Sequence, residues 1–168
     1  MTIILKNKHT LRVDDFYFKC CVGNKGLSKK KKEGDQKTPI GTFNIENLYY
    51  RKDRINKPKT SLKCISINAK MGWSNDVKFK KKYNKLIKVS EKIKHEKLKR
   101  KDYKYDLLIP IKYNYKKPVM GNGSCIFIHL TKNYKPTDGC IALKKKDFLI
   151  MLKIINKNTK KCKNFYSS

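Results

Sequence analysis

The sequence predicts a mainly β fold, built as one domain with a few peripheral helices. Three observations predict it. Apolar residues fall in short runs rich in β-branched and aromatic types, with turn residues between them. Helical spacing is confined to two stretches. No repeat or linker interrupts the 168 residues, a length that suits one core and seldom two.

In chain order, residues 2–6 (TIILK), 11–13 (LRV) and 16–22 (FYFKCCV) read as strands. Residues 24–39 carry glycine and lysine without periodicity and read as a loop. IGTFNIENLYY (40–50) and LKCISIN (62–68) return to β-type composition. The spacing then predicts a helix over 90–103, with Ser90 as its cap and Ile93 and Leu98 as a thin apolar stripe. DLLIPIKY (106–113) and SCIFIHL (124–130) are further strands. A second helix is expected over 145–156. Phe148, Leu149, Met151, Leu152 and Ile155 share one face there, and Asp147 suits its first turn. The domain is read as 1–157, and the tail 158–168 is expected to be loose.

Composition removes several classes. Hydrophobic residues make up 39% and aromatic residues 11%, which is too many for a disordered chain. No apolar run reaches the roughly 20 residues of a membrane helix. The opening MTIILKNKHTLRV lacks the h-region of a signal peptide, so the chain as written is expected in the cytoplasm. A different start or export route would make it periplasmic. The formal charge of +30 invites a nucleic-acid reading. Against it, only Arg12, Arg51, Arg54 and Arg100 among the 43 basic residues are arginine, the better reader of bases and phosphates. Nucleic acid is therefore disfavoured. The six cysteines (20, 21, 64, 125, 140 and 162) form no C-x-x-C pair and the three histidines are scattered, so no metal is expected.

The chemistry is expected in GSCIFIHLTKNYKPTDGCIAL, residues 123–143. Strand alternation sends Ile126, Ile128 and Leu130 to one face, and Cys125, Phe127 and His129 to the other. A connection of about nine residues can bring the chain back beside its own strand, placing Cys140 near His129. A histidine within reach turns a weakly ionised thiol into a nucleophile. Such an activated Cys140 is expected to alkylate ahead of the other thiols. Gly139 permits a backbone that aims the amides of Asp138, Gly139 and Cys140 at a developing oxyanion.

His129 followed by Thr137-Asp138-Gly139-Cys140 resembles the strand histidine and Ser/Thr-x-Gly-Cys motif of the L,D-transpeptidase catalytic domain, the YkuD family. GDQKTPIGTF (34–43) is similar to that family's GD-x-x-TP-x-G-x-F segment. MGWSND (71–76), YNKLI (83–87) and HEKLKRKDYKYDLL (95–108) resemble a proteobacterial subgroup with G-S-x-I-F-x-H and P-T-x-G-C motifs. The resemblance covers about residues 2–152. It implies a curled mixed sheet or sandwich and a cysteine acyl-transfer on peptidoglycan stem peptides, with no cofactor. The catalytic set it implies is Cys140, His129 and Gly139. Thr137, Asp138, Trp73, Asp76, Tyr83 and His95 are the candidates for contacting substrate. A monomer is expected. Asp138 stands where the family often has histidine, and Ala142 where it often has arginine or asparagine, which bears on the acceptor. The expected activity is L,D-transpeptidation to an amine. The alternatives are an L,D-carboxypeptidase of peptidoglycan recycling, with water as acceptor, and a basic nucleic-acid-binding protein on an inactive scaffold.

Overall fold

The computed structural model describes residues 1–29, 31–90, 92–156 and 158–164. The chain opens with β1 (Thr2–Asn7), β2 (Thr10–Val13) and β3 (Phe16–Cys21). Their alternate residues Ile3, Leu5, Leu11, Val13, Phe18 and Cys20 are buried together. The predicted loop holds two-residue strands, β4 (Leu27–Ser28) and β5 (Thr38–Pro39), which pair in parallel. The run 40–50 breaks into β6 (Gly41–Asn44) and β7 (Asn47–Tyr50). Next come β8 (Lys63–Ser66), β9 (Met71–Ser74), β10 (Leu86–Lys88), β11 (His95–Lys97), β12 (Leu107–Pro110), β13 (Phe127–Leu130) and β14 (Ile141–Leu143). Helix α1 (Lys145–Ile154) and β15 (Lys161–Asn164) close the chain.

One curled mixed sheet organises the molecule, in the order β6-β15-β1-β2-β3-β14-β13-β12-β7-β8. A three-stranded sheet, β10-β9-β11, stands beside it. The large core lies inside the curl, where α1 inserts Phe148, Met151 and Leu152. A second core lies on the other face of β12 and β13, built from Leu108, Phe127, Trp73, Leu98, Tyr105 and Cys140. The alternation expected for β13 therefore divides the molecule: Ile128 and Leu130 belong to the first core, and Phe127 to the second.

Two expectations are corrected. Residues 90–103 do not form a helix; β11 pairs there with β9, and the described residues hold a single helix, α1. Glu91 lies outside the described residues. Ser90 does cap, but it caps only a turn, accepting the Lys92 amide at 3.3 Å. Ile93 and Leu98 are both buried, yet a five-residue spacing gives no continuous helical stripe, while β9 offered an open edge. The tail is not loose over 161–164. β15 enters the large sheet between β1 and β6 with Cys162 and Asn164 inward. A cysteine and an asparagine in the inward positions hid the alternation; Asn164 is satisfied by donating to the Pro39 carbonyl at 3.0 Å. Residues 165–168 lie outside the described residues.

Candidate active site

β13 and β14 run parallel, with His129 opposite Ala142 and Ile128 opposite Ile141. One step back along both strands, Cys140 sits beside Phe127, whose amide donates to the sulfur at 3.4 Å. Residues 127, 129 and 140 thus present to the same face. His129 and Cys140 line one cleft of about 250 Å³ with Tyr105, Arg100, Thr137 and Asp138.

The hydrogen bonds define the resting state. The Cys140 thiol donates to the Cys125 carbonyl at 3.4 Å. His129 Nδ1 meets the Leu130 carbonyl at 3.0 Å. A carbonyl can only accept, so Nδ1 carries the proton and Nε2 keeps its lone pair. Burial drives the Cys140 thiol up to about 12 and the imidazole down to about 4. Both shifts favour the uncharged forms, a neutral thiol and a neutral imidazole. These directions lead to the opposite expectation from a readily alkylated thiol. At pH 7–8.5 iodoacetamide is expected to modify the half-exposed Cys64 before Cys140. Peptide mapping of the alkylated protein reads the order, and Cys140 reacting first would overturn the neutral resting pair.

The turn before Cys140 is tightly held. Gly139 has φ +129°. The Thr137 hydroxyl donates to the Cys140 carbonyl at 2.6 Å and accepts the Gly139 amide at 3.2 Å. Its side chain is thus committed to the turn, while Asp138 stays exposed and accepts from Gln36 at 3.4 Å.

The remaining sequence candidates stand behind or beside the cleft. Trp73 is buried edge-on against Phe127 and donates to Asn84 at 3.0 Å. Asn84, at φ +56°, also accepts the Cys125 amide and donates to the carbonyls of Tyr113 and Asn114. Asp76 accepts the amides of Lys78 and Lys94, both at 2.9 Å, and those bonds hold its carboxyl below the ordinary range. Tyr83, fully buried, donates to Glu33 at 2.5 Å. His95 Nδ1 donates to the Ile93 carbonyl at 2.6 Å, and the ring packs where a side chain on Gly72 would stand.

Sequence reasoning missed four residues that line the cleft with Cys140: Glu96, Arg100, Lys104 and Tyr105. They come from the stretch misread as a helix and the loop after it. Glu33 and Asn75 were missed as well. Three of the chain's 13 acidic residues (Glu33, Glu96 and Asp138) face this one cleft, so it is not simply part of the basic surface. Among the described residues no group of His, Cys, Asp or Glu side chains is arranged to hold a metal ion. No described helix is long and apolar enough to cross a membrane.

The model of the YkuD family, the L,D-transpeptidase catalytic domain, matches residues 2–161. The chain belongs to that family. The fold of this chain is similar to part of two crystal structures of the helical cell shape determining protein Pgp2 from Campylobacter jejuni. The native protein aligns with a TM-score of 0.56 and its K307A mutant with 0.55, each at 18% identity. The alignments cover 99% of this chain and 48% and 47% of the Pgp2 chains, so the domain spans about half their length. No protein of curated function matches the chain.

Proposed function

We propose that this domain is a peptidoglycan L,D-transpeptidase in which Cys140 is the nucleophile and His129 the general base. The observation that carries the reading is the parallel β13–β14 pair, which puts a thiol and an imidazole with a free Nε2 on one face of one cleft. The sulfur attacks the carbonyl of an L-centre in a stem peptide as His129 Nε2 takes its proton. The C–N bond breaks, the proton passes to the departing D-amino acid, and a thioester remains. An acceptor amine then displaces the thiolate and forms the cross-link. The Gly139 amide already serves Thr137, so the oxyanion falls to the amides of Asp138 and Cys140. Membership of the L,D-transpeptidase catalytic domain family supports peptidoglycan as the substrate.

Water as the acceptor is the second reading. The cleft's volume of about 250 Å³ favours it, being just below the roughly 300–1,000 Å³ of ordinary ligand sites and tight for two peptides. Defined muropeptide tetrapeptides, analysed by mass spectrometry, separate the two. Cross-linked dimers are the expected product; tripeptide without dimers would replace transpeptidation by hydrolysis. No product dependent on Cys140 would remove both readings.

A further inference from the structure

In a chain this rich in lysine, the four arginines stand out, and three of them converge on one loop. Arg51 grips Asp53 with two bonds, at 2.8 and 2.7 Å, and sends its remaining nitrogen to the Arg100 carbonyl at 2.6 Å. Arg54 donates to the carbonyls of Lys101 and Asp102, at 2.9 and 2.8 Å, and to the Asp106 carboxylate at 3.0 Å. Three successive carbonyls, 100 to 102, are thereby held by two guanidinium groups. Arg100 itself forks onto Asp102 at 3.0 and 2.7 Å and reaches Glu96 at 2.6 Å. An ammonium is a compact point donor without this fork, so lysine could not span these partners.

The clamped loop ends in Tyr105, which is 8% exposed. The Arg100 guanidinium lies 5.0 Å from its ring centre. Its ring meets His129 at 5.5 Å and Phe127 at 5.7 Å between centroids, both edge-on. His129 needs such a neighbour. Its Nδ1 bond to the carbonyl of the next residue fixes the tautomer, but no carboxylate receives that proton to fix the ring.

We infer that Tyr105, locked by the Arg51–Arg54–Arg100 clamp, is the positioning residue for the His129 imidazole. The inference rests on the reading of His129 as the base. In Tyr105→Leu the imidazole gains room to tilt, and misplacement on the ångström scale costs about 10²-fold in rate. That loss is expected in kcat with KM unchanged, and Tyr105→Phe, which restores the ring, recovers most of it. The paired substitution Arg51→Lys with Arg54→Lys, made outside the cleft, lowers kcat in the same direction.

A second readout needs no substrate: titration of the His129 ring by NMR. Burial is the main cause of its low pKa; Lys104 and Arg100 lower it further and Asp102 opposes them, while Cys140 and Tyr105 share its cleft. Removing the Tyr105 ring admits water and moves the midpoint up from about 4 towards the ordinary 6.5. A folded Tyr105→Leu with unchanged kcat, or with an unchanged midpoint, overturns the inference. If Tyr105→Leu fails to fold, unchanged kcat in the arginine pair overturns it. If the wild type shows no turnover dependent on Cys140, the proposed function falls, and the midpoint alone decides the positioning role.

Discussion

Cys140→Ala is expected to lower stem-peptide turnover by about 10⁶-fold in kcat, the order of loss when a protease loses its nucleophile. A second thiol, Cys125, lines the same cleft and is not expected to stand in. Its backbone is turned to φ +55°, its sulfur points to the Trp73 carbonyl at 3.8 Å, and burial raises its pKa well above the ordinary value. It also lacks the Thr137–Gly139 turn that presents Cys140. His129→Ala should be nearly as damaging, because on the proposed mechanism His129 takes the proton of a thiol that burial holds up to about 12. The double variant should then be no worse than either single one, since the two groups act as one unit. Single-turnover kinetics on a tetrapeptide, with mass spectrometry of the acyl-enzyme, measure all three. Losses that multiply in the double variant would mean independent roles and remove the dyad.

The parts of this arrangement legible in the sequence were those carried by local pattern. Alternation along 125–130 placed His129 on the face away from Ile128 and Leu130, and the short return loop brought Cys140 to the neighbouring strand. The face shared by Phe148, Met151 and Leu152 gave α1 for the same reason. What escaped depends on partners distant in sequence. β15 exists because an open position between β1 and β6 accepts it, and nothing in KCKN announces that. Residues 95–97 are a strand because β9 is beside them. The cleft wall formed by Arg100 and Tyr105 is fixed from residues 51–54, some fifty positions upstream. One signal for it was present. The tripeptide Arg-Lys-Asp occurs at 51–53 and again at 100–102, using two of only four arginines, and each copy folds into a forked ion pair. Trp73, Asp76, Tyr83 and His95 sat in motif-like stretches, and their hydrogen bonds hold loops and the second core behind the cleft.

Gly139→Ala carries the second large effect, and its cause is steric. At φ +129° a side chain is strained before any neighbour is considered, at a cost of about 1–3 kcal/mol. The added carbon would also stand 2.7 Å from the Lys37 carbonyl oxygen and 3.4 Å from Ile126 Cδ1. That carbonyl cannot easily retreat. It accepts the buried Lys31 ammonium at 2.6 Å, which is anchored to Asp35 at 2.5 Å, and the Lys37 amide donates to the same Asp35 oxygen at 2.9 Å. Overpacking against a fixed backbone adds about 1–3 kcal/mol. Together these predict a melting temperature lower by roughly 4–24 °C in a domain of this size. If the turn moves instead, Cys140 shifts on the face it shares with His129, and kcat falls about 10²-fold. The mutation therefore has to damage either the fold or the chemistry. Calorimetry and turnover on the same preparation test both, and a variant matching the wild type in each would mean that the turn before Cys140 tolerates a side chain and does not set the nucleophile's position.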